Sequence, residues 1–481
     1  MSYPSYLEYF SSSIENVSTA TFKIQPTSNN AVSSHQQITF HLPQNTLLDF
    51  RKLRMQFQVT STGSFTRLPA HASAYFNRIS IEVGGQTVSS FENANVLDEI
   101  LRNNLQIEVD PVNEHSTIQR KNDPFSAKAI SAAETYATDD DKAFFSIDLG
   151  TFARSIQPSI VAMMMLPQVS IVLHLAENAV CASPKNVDSL THFIDKDTSQ
   201  GTYSIVNHNL FAECYDIQDG SLMAMYEQTM MDQGYLELTY ENWTSFSDVF
   251  NNVTRFSSSA QSLNKIVATF RRGSGITPLA NAYNAVNGAV AVRGYNNELL
   301  ACAAGTYGGA TSSTAADGVI ANVLGQPETN GTSFQSAFFV GSAPVVAASL
   351  DSGIPATSTL EPMLNFSINS VKMPSYNCKA SGWYDLTKSA WGVSRTKSNL
   401  LAEWYLFRSS HYYSICQRLD LPDSKQLRVM SGLNLKASNA NLTLEVTGNH
   451  SAATTTDNVL VYLASSNIMR VGLGKQVQVL H

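Results

Sequence analysis

RISIEVGGQTV, residues 78–88, carries the reading of this fold. Ile79, Ile81 and Val83 alternate with Ser80 and Glu82, so they share one face of an extended strand, and Gly84-Gly85 then supplies a turn into the next strand. The pattern predicts antiparallel strands with one face toward a core and the other toward water. The same period recurs on both sides. Upstream, QQITFHLP (36–43) sets Ile38, Phe40 and Leu42 on one face, and Leu53, Met55, Phe57 and Val59 alternate with Arg54, Gln56 and Gln58. Downstream, AFFSIDL (143–149), QVSIVLHL (168–175) and YSIVNHNLFAECYDI (203–217) continue the strand pattern. One helix interrupts it: NANVLDEILRNNLQ (93–106) spaces Val96, Leu97, Ile100, Leu101 and Leu105 at helical intervals, with Asn93 or Asn95 available as N-cap.

This order of elements recurs in the second half of the chain without copying the residues. YLELTY (235–240) and SLNKIVATF (262–270) open it, and LNFSINSV (364–371) stands where RISIEV stands in the first half. The spacing of Leu400, Leu401, Trp404 and Phe407 or Arg408 predicts a helix after it, with Ser398 available as cap. QLRVMSGLNL (426–435), NLTLEV (441–446), NVLVYLA (458–464) and KQVQVL (475–480) read as alternating closing strands. The division that follows is an arm over 1–35, rich in Ser and Asn and outside any core, one β-sandwich over 36–225 and a second over 226–481. Residues 273–360, rich in Gly, Ala, Ser and Thr, exceed the roughly 12–15 residues of a plain loop and read as an insertion. Its apolar patch FQSAFFV (334–340) points to partial order, in a loop packed on the sandwich or on a neighbour.

A chain of 481 residues exceeds the roughly 250–300 at which single cores stop growing, which agrees with two domains. Its charged fraction of 15% is low beside the roughly 25% of ordinary soluble proteins, so much of its surface is neutral polar or apolar and suited to packing against copies of itself. A net charge of −8 argues against a broad grip on phosphate backbones, and the first fifty residues contain Lys23 as their one Lys or Arg. No direct nucleic-acid binding is expected. There is no apolar run of membrane-spanning length and no basic-then-apolar leader, so synthesis in the cytosol without a signal peptide is the expectation. Cys181, Cys214, Cys302, Cys378 and Cys416 lie far apart and read as reduced thiols.

Motifs that could carry chemistry resolve into structural readings. GTYGGA (305–310) lacks the Gly-Lys-Ser/Thr ending of a phosphate loop, and GLGK (472–475) precedes a strand and reads as a hairpin turn. Asp139, Asp140 and Asp141, and Asp195 with Asp197, lack the spacing of a calcium loop. None of the ten histidines forms a metal-ligand pattern, and His41 and His174 fall at outward strand positions. Met163, Met164 and Met165, with Val161 and Leu166, read as core or as a seam between subunits. The N-x-S/T sequons at Asn16, Asn242, Asn252, Asn330, Asn365, Asn441 and Asn449 are what a chain rich in Asn, Ser and Thr produces by chance. No catalytic, cofactor-binding or metal-binding residue is assigned, and the chain is not expected to be an enzyme.

The stretches ITFHLP, LDFRKLRMQFQV (48–59), AYFNRISIEVGGQTV (74–88), SLNKIVATFRR (262–272), LNFSINSVKMPSY (364–376) and IMRVGLGKQVQV (468–479) carry a further reading. In this order they resemble the double jelly-roll major capsid proteins of virophages, polinton-like viruses and related DNA viruses. The resemblance implies an all-β fold of two tandem jelly rolls with short interspersed helices and a long loop insertion in the second. It also implies a homotrimeric, pseudo-hexagonal capsomer in an icosahedral virion shell. Its partners would be neighbouring capsomers, penton and minor capsid proteins, and in many members an internal membrane. The residues themselves leave open a carbohydrate-binding or adhesive β-sandwich, a minor capsid protein, and an enzyme on a jelly-roll barrel.

Overall fold

The computed structural model describes residues 17–27, 31–62, 72–105, 117–119, 143–149, 156–178, 187–188, 192–193, 202–217, 227–228, 230–249, 252–271, 283–286, 289–293, 299–300, 363–379, 382–391, 414–421, 431–436, 441–447, 458–472 and 474–480. In the first half the strands are β1 (Val17–Ile24), β2 (Ala31–Ser33), β3 (Gln37–His41), β4 (Leu47–Asp49), β5 (Arg54–Thr62), β6 (Phe76–Val83) and β7 (Gln86–Glu92). Helix α1 (Ala94–Leu105) follows, then β8 (Thr117–Gln119), β9 (Ala143–Asp148), β10 (Ile160–Ala162), β11 (Val169–Leu175), β12 (Val187–Asp188), β13 (His192–Phe193) and β14 (Thr202–Ile217). The second half holds β15 (Tyr235–Val249), β16 (Val253–Ser257), β17 (Leu263–Arg271), β18 (Tyr283–Val286), β19 (Ala289–Arg293), β20 (Leu299–Leu300), β21 (Met363–Ile368) and β22 (Val371–Lys379). After α2 (Trp383–Trp391) come β23 (Ser414–Arg418), β24 (Asn441–Thr447), β25 (Asn458–Gly472) and β26 (Val477–Leu480).

Two sheets face each other in each half, and their strand orders match. The first half pairs β1-β14-β5-β9 and β3-β11-β6-β7; the second pairs β15-β25-β17-β23 and β16-β24-β21-β22. Each of these eight strands of the first half thus has a counterpart in the second, and a helix follows the corresponding hairpin in both. The two hairpins also turn alike. Gly84-Gly85 sits at φ +61° and +80° and Asn369-Ser370 at φ +50° and +68°, two successive left-handed residues in each case, as the right-handed twist of the flanking strands requires.

Alternation sets the inner faces as expected. Ile38, Phe40, Leu53, Met55, Phe57 and Val59 are fully buried. Phe57 lies 5.5 Å from the parallel ring of Phe145 and edge-on to Phe76 and Tyr75 at 5.5 and 5.9 Å. Helix α1 buries Val96, Leu97 and Ile100 under this sandwich; Asn93 holds φ +51° and its carbonyl accepts from the N–H groups of Val96 and Leu97.

Three expectations change. Residues 17–24, inside the expected arm, pair along their whole length with residues 210–217 of β14, and Val32 in β2 is buried. VSTATFKI gives no inward alternation because β1 is an edge strand held by backbone hydrogen bonds, with Ser18 to Lys23 exposed. A helix lies at Trp383–Trp391, where none was expected; the position expected, near 398–407, falls outside the described residues. Trp383, Thr387 and Ala390 are its buried stripe. In QLRVMSGLNL the described residues 431–435 hold one isolated bridge, Leu433 to Leu263, where a strand was expected. Within 273–360, β18, β19 and β20 form a three-stranded antiparallel sheet.

Candidate functional site: the joint between the sandwiches

NVLVYLA, expected as an alternating strand, is instead apolar at every position from Val459 to Ala464, and the structure covers both of its faces. Val459, Val461 and Leu463 of β25 point into the core of the second sandwich. Leu460, Tyr462 and Ala464, on the opposite face, join a core continuous with that of the first sandwich, as do Val267 of β17 and Cys416 of β23. Burying side chains of this size contributes roughly 1.5–3 kcal/mol each.

Where the two long strands run past the second core, Leu238 and Tyr240 of β15 and Met469 and Val471 of β25 close against the first sandwich. The joint leaves an apolar cavity of ≈ 30 Å³, lined by Phe50, Ile81 and Val88 from one side and Leu238, Tyr240 and Met469 from the other. Polar groups at its rim are matched across the halves. The Tyr240 hydroxyl donates to the Val88 carbonyl at 2.9 Å, and Ser89 Oγ donates to Asn242 Oδ1 at 2.9 Å. Gln157 and Thr239 exchange backbone hydrogen bonds of 2.8 and 3.0 Å, and the Tyr462 hydroxyl donates to the Asn93 carbonyl at 3.2 Å. Burial pushes the Tyr240 phenol up to about 12, so it stays a donor throughout the physiological range.

Beside the joint, Trp243 of β15 stacks on Trp391 of α2 with centroids 6.1 Å apart and planes 18° apart. Lys265 Nζ sits 5.4 Å from the Trp391 ring and 3.9 Å from Glu241 Oε1, a cation held between an aromatic face and a carboxylate in a largely buried place.

The residues weighed in the sequence take structural places. Met163 is buried and Met164 and Met165 half-buried in a single 3-10 turn. His41 Nδ1 lies 2.8 Å from Ser170 Oγ, and His174 Nε2 meets Arg78 Nη2 on the outer face of β11. Desolvation and then the Arg78 charge hold the His174 imidazole below its usual value. Gly472 to Lys475 forms the hairpin between β25 and β26, closed by the Lys475 N–H on the Gly472 carbonyl. Cys214, Cys378 and Cys416 are buried free thiols, raised by that burial, Cys416 to about 12. Asn365 is buried, and its Nδ2 donates to the carbonyls of Pro374 and Tyr376 at 3.1 and 2.7 Å, so this sequon serves the hairpin. GTYGGA, Asp139 to Asp141, Asp195, Asp197, Cys181, Cys302, Asn16, Asn330 and Asn449 lie outside the described residues. Among the described residues no three His, Cys, Asp or Glu side chains gather as a metal cluster would, and no helix is long and apolar enough to cross a membrane.

No protein-family description matches the chain, and no curated protein does. Solved structures do. One described as the PBCV-1 virus capsid, a quasi-atomic model, superposes with TM-score 0.54 at 12% identity over 98% of this chain and 99% of that one. Another, the crystal structure of PBCV-1 VP54 fitted into a cryo-EM reconstruction of the virophage Sputnik, gives TM-score 0.53 at 10% identity over 98% and 99%. Together with the matched strand orders of the two halves, these superpositions define the class: an all-β chain of two tandem jelly rolls. The particular arrangement, end to end, is that of the PBCV-1 capsid structures.

Proposed function

We propose that this chain is the major capsid protein of an icosahedral virus, assembling as a trimeric, pseudo-hexagonal capsomer. The observation that carries the reading is the duplicated sandwich, whose two halves share one strand order and together match the PBCV-1 capsid structures over nearly the whole length of both chains. Its work is mechanical and involves no catalysis. The cores and the joint hold the brick rigid, and its neutral polar surface lets large interfaces form at a small desolvation cost. The division at about residue 225 and an outward-facing insertion over 273–360 belong to this proposal. So do neighbouring capsomers, penton and minor capsid proteins and an internal membrane as partners, and a place in the virion shell.

Light scattering on a sizing column, followed by electron microscopy of the same peak, tests the reading. A particle of three chains with a hexagonal outline is expected. A single chain at every concentration would overturn the trimer and redirect attention to glycan binding on a β-sandwich.

A further inference from the structure

Among the described residues every histidine lies in the first half of the chain: His35, His41, His174, His192 and His208. Two of them bear on one strand from opposite faces of its sheet. Strand β3 ends the sheet β3-β11-β6-β7, with β11 its one neighbour there. On the outer face, His174 of β11 stands opposite the neutral Gln37 of β3 on one side and Arg78 of β6 on the other. On the inner face, Phe40 of β3 carries His208 of β14 edge-on, with ring centroids 6.3 Å apart and His208 only 3% exposed.

Both places suit a neutral imidazole. A guanidinium has N–H donors and no acceptor, so the contact of Arg78 Nη2 with His174 Nε2 requires a lone pair on Nε2. A proton there abolishes the bond and sets two cations side by side. Two carboxylates oppose this: Glu92 of β7 accepts from Arg78 Nη1 at 3.5 Å, and Glu82 lies further along β6. Their attraction ranks behind burial and the Arg78 charge, and His174 stays below its usual value. For His208 the cause is burial, and among the described residues no charged group contributes to its shift. His41 differs from both. Its Nδ1 lies 2.8 Å from Ser170 Oγ, a hydroxyl that donates or accepts, so that contact survives either charge state.

We propose that His174 and His208 form an acid-sensitive latch on strand β3: protonating the two frees this edge of the first sandwich while the second sandwich stays closed. The freed strand binds both protons more readily than the seated one, so opening grows as the pH falls through the ordinary imidazole value of about 6.5. Opening bares Ile38 and Phe40, both fully buried while β3 is in place. Acid thereby uncovers an apolar strip at one sheet edge, a surface that pH 7 keeps hidden. The latch lies within one chain, so it operates whether or not three chains assemble.

Hydrogen exchange of the full-length protein, read by mass spectrometry at pH 7.5 and pH 5.5 and corrected for the intrinsic rate at each, tests the latch. Peptides over 37–41 and 169–175 are expected to lose protection by about tenfold or more at the lower pH, while peptides over 441–447 and 459–464 keep theirs. His174→Gln offers Arg78 an acceptor that takes no proton, and together with His208→Gln it is expected to keep the β3 peptides protected at pH 5.5. Because His208 is buried, the His174→Gln single variant is measured beside the double and is expected to recover part of that protection. Equal loss in both sandwiches, no loss at β3, or a His174→Gln protein that opens as fully as the wild type overturns the latch.

Discussion

The hydroxyl of Tyr240 reaches across the two halves to the main-chain carbonyl of Val88, 2.9 Å away, and burial keeps that phenol protonated to about pH 12. Both partners are buried, so the bond has no water to replace it. Tyr240→Phe keeps the ring and strands the carbonyl, at an expected loss of about 1–2 kcal/mol in urea unfolding. A Tyr240→Phe protein with wild-type stability would mean that the joint does not depend on this bond.

Gly432 is pressed against the second sandwich so closely that a Cβ there would meet Asn264 Oδ1 and Ser262 Oγ at 2.6 Å and the Leu263 carbonyl at 2.7 Å. Gly432→Ala is expected to cost about 1–3 kcal/mol through that overlap. Gly85→Ala tests a different cause: nothing stands within 4 Å, but its φ of +80° disfavours a side chain, at an expected cost of about 1–2 kcal/mol. Thermal melts of the two variants side by side separate crowding from backbone strain.

Phe57 sits among Phe145, Phe76 and Tyr75 with no exposed surface. Phe57→Ala is expected to lower stability by about 3–5 kcal/mol, enough to cut the soluble yield sharply, and Phe57→Leu by much less. Equal behaviour of the two would argue that the ring stacking is incidental.

His208 is buried edge-on to Phe40, their ring centroids 6.3 Å apart, and desolvation holds its imidazole below the usual value. The unfolded chain therefore binds this proton more readily than the folded one. Stability is full above the unfolded value of about 6.5 and falls as the pH drops below it. His174 shifts in the same direction and adds to the slope. Urea midpoints between pH 8 and pH 5 are expected to fall on the acid side, and His208→Gln to flatten that fall.

Much of the fold was legible because its signals are local. Ile79, Ile81, Val83 and the two glycines after them specify a strand and its turn within a single window, and LNFSINSV repeats that specification 285 positions later, from Ile79 to Leu364. Helix α2 escaped because Trp383, Thr387, Ser389 and Trp391 are middling helix formers, while the nearby leucines of SNLLAEWYLF fit the helical template better. The spacing of Trp383, Leu386, Thr387 and Ala390 was the signal that could have found it. Strand β1 escaped for the opposite reason, since an edge with an open face carries no inward alternation. The joint was out of reach in a different way: Val88 and Tyr240 meet across 152 positions, and nothing in either neighbourhood names the other. Its one trace was the unbroken apolar run at NVLVYLA, which a half-exposed strand would not carry.

Sharing one core across both halves has a consequence for the molecule. Two sandwiches joined end to end could in principle be parted again, but Leu460, Tyr462 and Ala464 now belong to the neighbouring sandwich as much as to their own. Scission between Ile217 and Tyr235 would bare that face on one fragment and open the mouth of the other, so the pieces would have to be made together to be soluble at all. Neither half is therefore expected to stay soluble when made without the other, and the chain is expected to fold and unfold as one unit.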